Sequence, residues 1–159
     1  MSTEAYDIIV AVNSLIDTGK TEIKSATTIY KTLGELEQEV RKTPANFPKA
    51  ITYFGASESP DTNATIGSTL RYFLQISVDI WVIRDTDIQL ETEIALKEVR
   101  DKIELPANSL ITANNHRIVL PVINVQRLIT YEAGDPHELV FGLASVNFNV
   151  MYSFIQGDS

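Results

Sequence analysis

From Leu70 to Val82 every even-numbered residue is apolar or aromatic: Leu70, Tyr72, Leu74, Ile76, Val78, Ile80 and Val82. Successive side chains of a strand point to opposite faces, so strict alternation over this length predicts one long strand with a single face on a core. The odd positions, Arg71, Phe73, Gln75, Ser77, Asp79, Trp81 and Ile83, mix polar groups with large aromatics. That face is neither plainly solvated nor a second core. Two readings of it stay open. It is a contact with another subunit, since interfaces are enriched in aromatics and Arg, or it is covered by a loop of the same chain.

The flanks of this strand are also informative. Ala50–Phe54 (AITYF) reads as a short apolar strand closing at Gly55. Ala56–Thr69 (ASESPDTNATIGST) then has Ile66 as its only large apolar residue and is otherwise built from turn formers, so it is expected to project as a loop over 56–69. On the other side, Thr86-Asp87-Ile88-Gln89 has the form of a capping box, Thr followed three residues later by Gln, and opens a helix running to Glu104. Ala95, Leu96, Val99 and Ile103 make its inward stripe. Leu90 and Ile94 fall on nearly the opposite side of the wheel, where a lone domain has no use for them.

Elsewhere, residues 3–17 predict a helix with Ile8, Ile9, Val12, Leu15 and Ile16 on one side, ended by Gly19. Ala26–Leu33 favours strand and Glu35–Arg41 favours helix. Pro44 and Pro48 bracket a linker, and Pro106 stops the second main helix ahead of a polar connection, Ala107–Arg117. Val119–Glu132 and Leu139–Phe154 alternate and are joined by the turn at 133–137, which predicts an antiparallel hairpin. In its second strand Ala144, Val146, Phe148, Val150, Tyr152 and Phe154 share one face. Gln156–Ser159 reads as a frayed polar end. No internal repeat or second-domain boundary is visible. The fold expected is α+β, a single domain over residues 1–159, with a mostly antiparallel sheet of about four to five strands packed against two main helices.

Composition narrows the function classes. Hydrophobic residues make up 44% of the 159, charged residues 21%, and no apolar run approaches the length of a membrane span. The segment MSTEAYDIIVAVNSLIDTGK lacks the basic region and cleavage site of a secretory signal, so it reads as part of the fold. Without a secretory route the sequon Asn63-Ala64-Thr65 carries no weight. Cysteine is absent, which removes disulfides, thiolate metal sites and cysteine nucleophiles. A formal charge of -8 with no basic cluster argues against a surface that tracks phosphates.

The candidate chemical motifs each have a plainer explanation. Gly19-Lys20-Thr21 imitates the end of a phosphate-binding loop, but position 14 is Ser where that loop needs Gly, and the preceding segment is helical. Asp85-Thr86-Asp87 could suggest a metal-binding acidic pair, but the capping box occupies the same place, and carboxylates at a helix start are ordinary. His116 and His137 lie in expected loops with no partner at metal-ligand spacing and read as surface residues. Glu35, Glu37 and Glu39 read as a solvated face. No catalytic residue, metal ligand or cofactor is expected, and an enzyme, such as a small hydrolase with a loop-borne site, is the minority reading.

The order of elements, with FPKAITYFGASES, then LRYFLQISVDIWVIRD, then LETEIALKEVRDKI and finally LASVNFNVMYSF, resembles the tail terminator proteins of long-tailed bacteriophages, of which the phage lambda protein is the type. The resemblance spans roughly residues 4–154 and rests on element order, not on an invariant motif. It implies a small subunit that assembles as a ring of six on the last tube-protein ring, halts tube growth and offers a surface to the DNA-filled head. The implied partners are further copies of the chain, the tail tube protein, neck or head–tail connector proteins and a sheath where the tail is contractile. DNA would pass the lumen without sequence-specific binding, and no membrane is involved. The implied place is the head-proximal end of the virion tail, with the host cytoplasm during assembly. Carried onto this chain, the expected subunit or tube contacts are Ser57, Glu58, Asp61, Asn63 and Ile66 from the loop and Arg71, Phe73 and Trp81 from the strand, beside the apolar Leu90 and Ile94. The segment 21–42 is additional to the lambda-like pattern. A head-completion or neck connector, or a minor tail protein of related fold, is the alternative in the same class.

Overall fold

A computed structural model of the chain describes residues 4–16, 21–23, 48–61, 69–84, 87–105, 116–132 and 140–155. In chain order the elements are α1 (Glu4–Ile16), β1 (Thr21–Ile23), β2 (Lys49–Pro60), β3 (Thr69–Arg84), α2 (Ile88–Glu104), β4 (Arg117–Glu132) and β5 (Val140–Ile155). The strands form one sheet in the order β1-β2-β3-β5-β4, antiparallel except for the short parallel pair β1–β2. The expected strand at 26–33 and helix at 35–41 lie outside the described residues.

The alternating stretch is the spine. β3 pairs with β5 over its whole length, from Thr69↔Ile155 to Arg84↔Val140, with no break in register. That pairing puts Leu74, Ile76, Val78 and Ile80 beside Val150, Phe148, Val146 and Ala144 on one face, and all eight are buried. A one-residue slip would turn both sets to the opposite face, which fixes the register. The two helices cover this face. α1 contributes Ile8, Ile9, Val12 and Ile16, and α2 contributes Ala95, Leu96, Val99 and Ile103 to the same core. α1 lies over the β1–β2 side of the sheet and α2 over β3, β5 and β4.

Polar contacts lock the layers. Thr52 on β2 donates its hydroxyl to Asn13 Oδ1 of α1 at 3.0 Å. Lys102 on α2 donates to the Ile16 carbonyl at 3.3 Å, supplying a cation at the C-terminal, negative end of the α1 dipole. Helix and sheet approach closely at Gly142: a Cβ there would strike Thr92 Oγ1 and lie 3.2 Å from Ile88 Cγ1. Only a glycine lets the first turns of α2 sit this near β5.

Two expectations at element boundaries are corrected. β2 does not close at Gly55 but runs to Pro60, so residues 56–60 of the expected loop are strand. The register moves four residues along β2, from Phe54 to Glu58, while it moves two along β3, from Ile76 to Leu74, and beyond this bulge Ser59 and Pro60 pair with Phe73 and Tyr72. Pairing satisfies backbone groups whatever the side chains, so a polar stretch that packs no core can still be a strand. The second correction concerns the start of α2. Its N-cap is Asp87, one residue after the expected Thr86, in a left-handed conformation (φ 54°, ψ 38°) and with no side-chain cap hydrogen bond.

Candidate interaction surfaces

The sheet face away from the helices carries the odd residues of β3. Its middle is closed within the single chain: Ser77 and Asp79 on β3, Ser145 on β5 and Ile51 on β2 are all buried. One row of cross-strand neighbours, Tyr53, Ser77, Asn147 and Asn124, runs across four strands. Ser77 donates to Asn147 Oδ1 at 2.5 Å, and Asn147 Nδ2 donates to Asn124 Oδ1 at 2.6 Å. The Tyr53 hydroxyl reaches into the adjoining row and donates to Asp79 Oδ1 at 3.1 Å. Burial pushes the Asp79 carboxyl above the ordinary carboxylate range, and hydrogen bonds from Ser145 and Tyr53 pull part of the way back. Burial, reinforced by the Asp79 charge, pushes the Tyr53 phenol up to about 12. Phe73 and Trp81 are half-buried at opposite ends of this face. Eight residues apart on one strand, they stand about 26 Å from each other and form no single patch.

The expected loop residues are drawn back to the sheet. Ser57 donates to Gln75 Oε1 at 3.1 Å. Glu58 accepts a hydrogen bond from the Tyr152 hydroxyl, and Tyr152 stacks on Tyr72 with ring centroids 5.9 Å apart. The Asp61 amide donates to the Arg71 carbonyl at 2.8 Å, and their side chains form an ion pair at 4.0 Å. Asn63 and Ile66 lie outside the described residues, as does His137. His116, expected at the surface, is instead 1% exposed and meets the Tyr152 ring edge-on at 6.3 Å. It immediately precedes β4, so the sheet carries it into the same aromatic cluster.

Leu90 and Ile94 project from the outer side of α2, 60% and 48% exposed, one turn apart. Ile94 lines a shallow groove of about 430 Å³ between α2 and β4, together with Lys97, Arg100, Glu104 and Arg127. The groove's charges are matched internally. Arg127 meets Glu93 with two hydrogen bonds, Nη2 to Oε2 at 3.1 Å and Nε to Oε1, and holds the Glu93 carboxyl below the usual carboxylate range. Lys97 pairs with Asp101 at 2.6 Å and Arg100 with Glu104 at 2.9 Å. A groove whose cations already hold carboxylates has little pull on an anionic ligand.

The structure also exposes apolar residues that sequence reading passes over. Tyr6 and Val10 on α1 are 59% and 38% exposed, and Leu120 and Ile123 on β4 are 38% and 51% exposed. Tyr6 and Val10 are four residues apart, off the buried stripe, and that spacing is the signal that could have found them. The second pair sits where β4 bulges: its register moves five residues, from Val119 to Asn124, against two on β5. The signal there is the unbroken apolar run Leu120-Pro121-Val122-Ile123, which breaks the alternation on both sides.

Among the described residues no group of three or more His, Asp or Glu is placed to hold a metal ion, and no helix is long and apolar enough to cross a membrane. Comparison with protein-family models and with curated proteins gives no match.

Proposed function

We propose that this chain is a structural subunit of a phage tail, a terminator-like protein that assembles as a ring, of six copies as the family resemblance implies, caps the tail tube and presents the surface to which the head docks. The observation that carries the reading is the apolar side chains left in solvent on two different flanks: Tyr6 and Val10 on α1, and Leu90, Ile94, Leu120 and Ile123 on α2 and β4. Contacts between unlike patches join subunits head to tail, and such contacts close into rings when each turns the next copy by the right angle. The α+β fold and the resemblance of its element order to tail terminators supply the rest of the argument. Capping would be polyvalent: each subunit holds the tube weakly, and many simultaneous contacts make the ring hard to remove. No bond is made or broken.

The test is sedimentation of the purified chain over a range of concentrations, followed by pelleting with purified tail tubes. The expected result is a ring-sized species that co-pellets with tubes and stops their elongation. A strict monomer that leaves tubes unbound and still growing refutes the reading. A ring that binds connector or portal particles and leaves tube length uncontrolled makes it a neck protein.

A further inference from the structure

The two exposed flanks differ in charge as well as in position. α1 lies at the β1 edge of the sheet, and β4 is the opposite edge. Over its whole length (EAYDIIVAVNSLI) α1 holds Glu4 and Asp7 and no Lys or Arg, and Asp7 is exposed between Tyr6 and Val10. From residue 117 to 127 (RIVLPVINVQR) β4 holds two Arg and no acid, in a chain whose net charge is -8. Arg117 is exposed, and Arg127 already binds Glu93, so Arg117 is the cation at hand for a newcomer. Leu120 and Ile123 lie between the two Arg on the outer edge of the sheet. An apolar ridge with an acid beside it therefore lies on the β1 side of the sheet, and an apolar strip with a base beside it on the β4 side.

We infer that the occupant of the β4 edge is α1 of a second copy of this chain, with Tyr6 and Val10 packed on Leu120 and Ile123 and Asp7 facing Arg117. The contact is heterologous: each subunit offers α1 to one neighbour and β4 to the other. This rests on the ring reading above and specifies which surfaces make the ring.

Because the chain has no cysteine, single thiols report the contact without background. Val10→Cys and Ile123→Cys are made in separate preparations, mixed at concentrations where the unmodified chain oligomerises, and oxidised. The inference expects the mixed Val10–Ile123 cross-link and neither like-with-like product, since a head-to-tail contact never brings two copies of one position together. In the unlinked protein Asp7→Arg or Arg117→Asp alone is expected to weaken assembly about 2–5-fold, and the two together to restore it. A ring that forms with like-with-like cross-links, or with none, overturns this contact and leaves the ring standing. A chain that stays monomeric overturns both.

Discussion

Gly142 offers a direct test of how closely α2 is seated on the sheet. In Gly142→Ala the added Cβ meets Thr92 Oγ1 and approaches Ile88 Cγ1 to 3.2 Å. Thr92 has little room to turn away, because its hydroxyl donates to the Ile88 carbonyl at 2.7 Å and the residue is buried. The first two turns of α2 must then lift. Overpacking of this kind costs about 1–3 kcal/mol, while replacing Gly by Ala in the unfolded chain returns about 0.4–1 kcal/mol. The net expectation is a loss of about 1–2 kcal/mol, or a fall in Tm of roughly 2–8 °C at this chain length. Urea unfolding with an unchanged m-value is the assay. Thr92→Ala should cost little by itself and should recover most of the loss when combined with Gly142→Ala, a coupling of at least about 0.5 kcal/mol between residues in contact. Stabilisation by Gly142→Ala alone, or strict additivity of the pair, would refute the close seating. Leu90 and Ile94 stand on those same turns, so Gly142→Ala is also expected to misplace the outer ridge of α2.

Three further outcomes follow from the backbone and the buried polar rows. Asp87→Gly removes the strain of a left-handed non-glycine residue that makes no side-chain cap bond, and should stabilise the fold by about 0.5–1 kcal/mol in thermal unfolding; a loss of that size would mean the carboxylate supports the helix dipole more than geometry suggests. Asp79 has its folded pKa raised, so the folded state binds the proton more tightly and stability falls as pH rises from the unfolded value through the folded one. Asp79→Asn should therefore gain stability at neutral pH and lose that gain as pH drops below the ordinary Asp range, as denaturation across pH will show. Trp81→Ala and Phe73→Ala, read by both unfolding and sedimentation, separate the two readings of the outer sheet face: a fall of about 1–3 kcal/mol in monomer stability with assembly intact makes the residues part of the subunit's own packing, and weakened assembly with intact folding makes them contacts.

The legible parts of this fold are those set by side-chain period. Even positions of β3 and β5, the buried stripe of α1 and the stripe Ala95, Leu96, Val99 and Ile103 all follow from burial of one face, and one face is what periodicity reports. What stayed hidden depends on the backbone or on neighbours distant in sequence. Residues 56–60 look like a loop because their side chains are polar, yet Glu58, Ser59 and Pro60 pair with β3 beyond a bulge. Thr86 and Gln89 have the right spacing for a capping box, but spacing carries no dihedral angle, and the helix opens on Asp87 instead. His116 reads as a surface residue in a polar segment because its aromatic neighbour, Tyr152, is supplied by a strand far along the chain.

The same distinction bears on where a ring contact can lie. β3 holds the middle position of the sheet, so its edges are spent on β2 and β5, and the centre of its outer face is closed at Ser77 and Asp79. The strand that most clearly organises the chain thereby has no free edge along which to pair with a neighbour. On the proposed ring reading, the two sides of the sheet, which differ in element type and in charge, are the surfaces that meet neighbours, with the ends of the outer face at Phe73 and Trp81 left to the test above. The β3–β5 pairing serves them indirectly. A ring of six requires each contact to turn the next subunit by about 60°, and an error in that angle at every step opens the ring into a helix. Sixteen register pairs without a bulge, crossed by the Tyr53–Ser77–Asn147–Asn124 row, tie the α1 side to the β4 side through one stiff sheet. The bulges, which bend strands, fall instead in β2 and β4, outside this central pair. If the proposed ring forms, Asn147→Ala, which loosens the polar row, is expected to disturb closure before it abolishes either contact, giving open or mixed assemblies in place of monomers in sedimentation.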